Sequence, residues 1–153
     1  MSAAIEELRA TDPGAEPTDA GPDVAASLTR TLARFGASSV AVGGLLALTS
    51  SSPTGRAFGQ QTAAWGAINT AIAGFGAWRS RTRPAKAAGL RRTLLVNAGL
   101  DVAYMAAGAH LAHHRSTLDG RVTADAARGH GLAVVVQGLG LMVLDLTYAR
   151  RLG

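Results

Sequence analysis

The sequence predicts an all-α fold: a four-helix transmembrane bundle with a disordered N-terminal tail. Three observations predict it. Charge is nearly absent from four windows of equal length, each window matches the thickness of a bilayer, and the basic residues gather at one set of window ends. Between Arg34 and Arg56 lie 21 residues without a charge, and between Arg56 and Arg79 lie 22. The windows Arg92 to Arg115 (22 residues) and Arg128 to Arg150 (21 residues) hold one charge each, Asp101 and Asp145. Together the four windows carry 2 of the 25 charged side chains. At about 1.5 Å per residue, 21 residues cover roughly 31 Å, close to the hydrocarbon thickness of a membrane. A soluble bundle needs a polar face on every helix, recurring each three or four positions, and these windows have none.

The tail comes first. Residues 1–29 hold six acidic side chains and one base, Arg9, around Pro13, Pro17 and Pro22, with no apolar stripe long enough to bury; this composition predicts disorder. Glu6 and Glu7 stand where a signal peptide would need its basic and apolar regions, so membrane entry is expected to use the first span. The membrane domain is predicted over 30–153, with spans at about 32–50, 57–78, 93–113 and 130–148. Ser50, Ser51, Ser52 and Pro53 form the turn that closes the first. The second, carrying Gln60, Gln61 and Asn69, is too weakly apolar to insert alone and is expected to enter paired with a neighbour.

Orientation follows from the flanks. Arg30, Arg34, Arg79, Arg81, Arg83, Lys86, Arg91, Arg92, Arg150 and Arg151 lie on one side, against Arg56, Arg115, Arg121 and Arg128 on the other. The excess of ten over four predicts both termini inside, with Trp78 and Tyr148 as aromatic anchors at the inner interface. The net charge of +5 therefore reads as topology and not as a nucleic-acid footprint. The partners expected are the lipid bilayer and a membrane-protein partner or second copy of the chain, with no nucleic acid. Absence of cysteine excludes disulfides, thiol catalysis and thiolate metal sites.

Small residues recur at helical spacing, at Gly36, Ser39, Gly43 and Ala47 in the first span and at Gly66, Thr70 and Gly74 in the second. They let backbones approach closely where lipid supplies no hydrophobic drive. Such a row serves either packing within the bundle or a dimer face.

The polar residues inside the spans carry the functional question. Asn97, Asp101, Tyr104 and Gly108 follow at i, i+4, i+7 and i+11, which places them on one face of the third helix. Gln61, Trp65 and Asn69 do the same on the second helix, and Gln137 lies in the outer half of the fourth. Asn69 and Asp101 count to similar depth. An ionised carboxylate in mid-membrane costs a few kcal/mol, so Asp101 has to be paired, hydrated or protonated. Asp145, about a turn from Arg150, is placed near enough to the inner interface for partial hydration. Asp101, Asn97, Asn69, Tyr104 and Gln137, with Trp65 and Gln61 on the second helix, are the candidate site. Either these groups satisfy one another and fix register, or Asp101 binds a small ligand, cation or proton.

His110, His113 and His114 close the third span and His130 opens the fourth, so a haem or metal at the outer rim is a further alternative. No carboxylate motif accompanies them, and adjacent His113 and His114 cannot face the same way; no cofactor or metal ligand set is assigned. No serine sits in a nucleophile turn, and no catalytic residue is identified.

Phe58-x-Gln60-x4-Trp65-x3-Asn69, Asn97-x2-Leu100-Asp101-x2-Tyr104 and Gln137-Gly138-x6-Asp145 resemble the motifs of a bacterial family of small four-span membrane proteins of unknown function, over about residues 30–150. Departures fall at Gly59, where histidine is usual, and at Thr62 and Gly66, where asparagine is, so the second helix offers no histidine ligand. The resemblance implies a bacterial cytoplasmic membrane, four spans and these polar positions as a set; it implies no activity. The expected function is a structural or partner subunit built round a buried polar cluster, with small-solute or proton-coupled binding at Asp101 as the alternative.

Overall fold

The computed structural model describes residues 19–115, 117 and 120–153. They form four helices: α1 (Gly21–Thr49), α2 (Pro53–Ser80), α3 (Ala87–His114) and α4 (Ala124–Arg150). Each expected span lies within one of them, save Ser50, which caps α1. The tail expected over 1–29 falls mostly outside the described residues, but its last nine residues, 21–29, are helical. Pro22 is tolerated in a first turn because its missing N–H has no helical partner there. Val24, Leu28 and Leu32 then extend α1 by packing against Leu94, Leu144 and Tyr148. That apolar row is too short to stand out beside the acidic composition upstream.

Local chemistry sets the boundaries. Ser52 Oγ accepts from the Gly55 N–H at 3.0 Å and Pro53 opens α2, while Thr123 Oγ1 accepts from the Ala126 N–H at 3.2 Å at the start of α4. Arg115 ends α3 in the left-handed region, at φ 48°. Asp19 Oδ1 accepts from two backbone amides, Gly21 at 2.9 Å and Ala87 at 3.0 Å, and so ties the starts of α1 and α3 together.

With 27 to 29 residues, each helix is roughly 40 Å long. Three of them, α1, α3 and α4, are long and apolar enough to cross a membrane. α2 has the length but, with Gln60, Gln61, Thr62, Asn69 and Thr70 among its residues, not the hydropathy.

α1 packs along α2 and α3 along α4, with α2 and α4 joining the two pairs; α1 and α3 touch only slightly. The order round the axis is therefore α1, α2, α4, α3. Sequence neighbours α2 and α3 stand at opposite corners, joined by residues 81–86. Glycine makes the tight pairs possible. A Cβ on Gly36 would meet the Gly66 carbonyl oxygen at 2.8 Å, and one on Gly43 would meet the Gly59 carbonyl oxygen at 2.7 Å. The row expected from sequence thus serves contact inside the chain, except Gly74, which faces open space.

Burial runs opposite to that of a water-soluble protein. Leu45 (63% exposed), Leu48 (87%), Ile72, Phe75, Val102, Val136 and Val143 point outward, while the buried set is mainly Gly, Ala and polar residues. In lipid, association gains from close backbone packing and not from hiding apolar side chains, and the pattern fits that solvent.

Candidate functional site

Among the described residues six polar side chains are buried: Ser39, Thr62, Asn69, Asp101, Gln137 and Asp145. They occupy layers along the axis. Farthest from the 81–86 connection, His130 Nδ1 is hydrogen-bonded to Gln61 Oε1 at 3.1 Å, linking α4 to α2. The next layer joins α1 to α4, where Gln137 Nε2 donates to Ser39 Oγ at 3.2 Å. At the connection end the Tyr148 hydroxyl is hydrogen-bonded to the hydroxyls of Thr31, at 2.7 Å, and Ser27, at 3.1 Å. The Arg151 guanidinium lies over the Tyr148 ring, 4.5 Å from its centroid.

Three further buried polar atoms are unsatisfied: one beside Gln61 on α2, and two at a common depth, on α2 and α3, on the connection side of the Ser39–Gln137 layer. Thr62 Oγ1, Asn69 Nδ2 and Asp101 Oδ2 are buried without a hydrogen-bond partner among the described residues. Buried polar atoms of this kind are costly, and natural structures hold few of them. Asp145 is near, about one helical turn from Asp101 along the axis. The α3/α4 register explains how. A Cβ on Gly138 would meet the Asp101 carbonyl oxygen at 3.3 Å and Met105 Cγ at 2.8 Å, so Gly138 stands opposite residues 101–105. Seven residues on along α4 is Asp145, and seven back from Tyr104 along α3 is Asn97. Asp145 and Asn97 are therefore level, with Asp101 one turn farther from the connection.

Both line a cleft of about 610 Å³ in the half of the protein nearest the connection. Its walls come from Leu28 and Leu32 of α1, Ile72 and Phe75 of α2, and Leu90 and Leu94 of α3, and its rim from Arg79, Arg83 and Lys86. The cleft is open: Ile72 and Phe75 are more than half exposed, whereas Asp145, on its floor, is 8% exposed. It forms because α2 and α3 are not packed on each other here, while the α1/α2 and α3/α4 pairs are closed by small residues.

The residues singled out from sequence divide accordingly. Asn69 and Asp101 occupy the unpaired layer, and Gln137 pairs with Ser39 one layer away. Asn97 is exposed into the cleft. Tyr104 is 45% exposed and stacks edge-on against Trp65, with ring centroids 5.6 Å apart, bridging the α2/α3 corners. Gln61 lies at the far end, held by His130. Asp145, expected about a turn from Arg150 near the inner interface, is 8% exposed and lines the cleft in the half nearest the connection. Ser39 and Thr62 give no signal of their own in the sequence, because a hydroxyl in a row of small residues looks like packing.

Three of the histidines gather at the end of α3, with His113 and His114 in ring contact despite being adjacent in sequence, and the fourth stands apart. The His110 and His114 rings are 4.3 Å apart, His113 stacks edge-on to His114 at 5.0 Å, and His130 is turned to Gln61. Among the described residues no three His, Asp or Glu side chains are grouped so as to hold a metal ion.

A family model described as a family of unknown function, DUF6992, matches residues 31–146. The chain belongs to this family. The DUF6992 match takes in the cleft floor, Asn97 and Asp145, the unpaired Thr62, Asn69 and Asp101, the Ser39–Gln137 pair and the basic rim. It leaves out Ser27 and Tyr148, two of the three hydroxyls of the layer at the connection end, and begins at the third, Thr31. No curated protein and no solved structure gives a significant match.

Proposed function

We propose that the chain is a four-span protein of the bacterial cytoplasmic membrane, with both termini in the cytoplasm, that binds a small membrane-soluble molecule in the α2/α3 cleft. A hydrogen-bond-donating or cationic group of that molecule meets Asp145 and Asn97, and Asp101 stands behind them. The observation that carries this reading is the cleft floor: a carboxylate more than nine-tenths buried that nonetheless lines an open, mostly apolar cavity. The volume is in the range of small-molecule sites, roughly 300–1,000 Å³. Ionisable groups at such depth are expensive unless something interacts with them. The orientation rests on the ten-to-four excess of basic flanking residues, and α2 enters the bilayer with α1 as its closely packed partner.

Access to Asp145 tests the reading. Dicyclohexylcarbodiimide is a small apolar reagent that adds to protonated carboxyl groups. Applied to native membranes, it is expected to modify Asp145, and to modify nothing at that peptide in Asp145→Asn. Protection of Asp145 in the folded protein, with modification only after unfolding, would falsify the proposal.

A second reading, a structural or partner subunit, is favoured by the three hydrogen-bonded layers, which fix the helices in depth without any ligand. It predicts that Asp101→Asn and Asp145→Asn cost folding, and it fails if both variants fold normally.

A further inference from the structure

The cleft of the proposed function has a second chemical feature. Six basic residues join α2 to α3 or open α3, and three of them, Arg79, Arg83 and Lys86, stand together at the cleft rim. Arg81 does not line the cleft, and Arg91 and Arg92 border a separate surface hollow with Leu152 and Gly153. Asp19, which reaches the Ala87 amide beside Lys86, is already engaged by the backbone amides of Gly21 and Ala87. Among the described residues the ion pair present is Arg115–Asp125, 3.9 Å, at the opposite end. The rim is thus, among the described residues, a cluster of three cations without an acidic partner. It faces one end of a cavity whose walls are apolar and whose other end carries Asp145 and Asn97.

Arg79 and Ile72, which lies near the floor, are seven residues apart on α2, so rim and floor are separated by about 10 Å. We infer that the ligand is a single-chain amphiphile drawn from the membrane, with an anionic phosphate or carboxylate held by Arg79, Arg83 and Lys86. Its apolar chain lies between Leu28, Phe75 and Leu90, and a hydroxyl or amine at its far end meets Asp145 and Asn97. Arginine suits the anionic group because its planar fork can hold two oxygens at once. The exposed Ile72 and Phe75 leave the cleft open on the side that faces lipid, the direction from which such a molecule arrives. The cavity is too small for a two-chain phospholipid.

This inference rests on the reading of the cleft as a binding site but fails separately from it. The full-length protein in phosphatidylcholine nanodiscs is titrated with dodecyl phosphate, followed by the fluorescence of Trp78, which adjoins Arg79. Saturable binding is expected, weakened about tenfold or more in Arg79→Gln/Arg83→Gln, since each charged hydrogen bond lost is worth about that factor. Arg91→Gln/Arg92→Gln, of equal charge change outside the cleft, is expected to bind as the native chain does. Equal weakening by both pairs, or by neither, overturns the inference. Displacement by inorganic phosphate at equal concentration overturns it in favour of a free-anion site, and dodecanol binding as tightly overturns the role of the anion. An ω-hydroxyalkyl phosphate is expected to bind more tightly than the plain alkyl phosphate of equal length in the native chain and equally in Asp145→Asn; if the two bind alike in the native chain while the Arg79/Arg83 pair still weakens both, the rim assignment stands and the acidic floor is what fails.

Discussion

Ser39 of α1 and Gln137 of α4 are hydrogen-bonded at 3.2 Å across the axis of the protein, joining two helices whose backbones otherwise have little contact. A pair so placed sets the depth of one helix against another. Deleting one partner strands the other in a buried layer. Ser39→Ala and Gln137→Ala are each expected to destabilise by about 1 kcal/mol, and a double-mutant cycle to return a coupling near ~0.6 kcal/mol, as measured for comparable intramembrane pairs. Reversible unfolding in mixed micelles reads both. Strict additivity of the two substitutions would show that the bond contributes nothing.

The glycines of the α1/α2 seam predict a sharper contrast. Gly43 and Gly59 are pressed against each other's backbone, whereas a Cβ added to Gly74, on the same helix as Gly59, would meet nothing within 4 Å. Gly59→Leu is expected to cost about 2–3 kcal/mol by forcing the helices apart. Gly74→Leu should leave the unfolding midpoint unchanged or raise it. Similar losses at both positions would mean that helix propensity and not contact decides.

Because the chain contains no cysteine, single cysteines report on water directly. Asn97→Cys places a thiol in the cleft, and Ala98→Cys places one on the buried side of the same helix turn. A membrane-impermeant maleimide is expected to label the first several times faster than the second, and only in inside-out vesicles. Labelling from the opposite face would reverse the orientation proposed above.

α2 makes a prediction about assembly. Its composition falls short of the other three helices, while its glycines match those of α1. With a glycosylation reporter, α2 alone is expected to remain outside the bilayer and α1–α2 together to insert both. Gly43→Leu should lower the yield of the inserted pair. Full insertion of α2 by itself would remove any need for the seam.

The helices are legible in the sequence because charge exclusion depends on length: three of the four charge-poor windows fall inside a helix, and the first, 35–55, runs from α1 over the Ser50–Ser52 turn into α2. The start of α1 is not, since Val24 and Leu28 gain their value from Leu94 and Tyr148, which are far away in sequence. The face of α3 that carries Asn97 and Asp101 follows from periodicity alone. Where that face points does not: Asn97 opens to the cleft and Asp101 is enclosed, a distinction set by the α1, α2, α4, α3 order of the helices. Asp145 shows the same limit. Its depth can be counted, but its inclusion in the floor depends on Gly138 bringing α4 against α3, a contact between two windows that look alike in composition.

Among the described residues no large side chain is fully enclosed, so the shape of the protein is kept by fit between backbones and a few polar ties. Water would reward a different arrangement, in which Leu45, Leu48, Phe75 and Val143 turn toward one another or toward the same residues on another copy. The surrounding solvent is therefore a component of the native state. Extraction conditions that thin the apolar shell are expected to give clumping before they give an unfolded monomer.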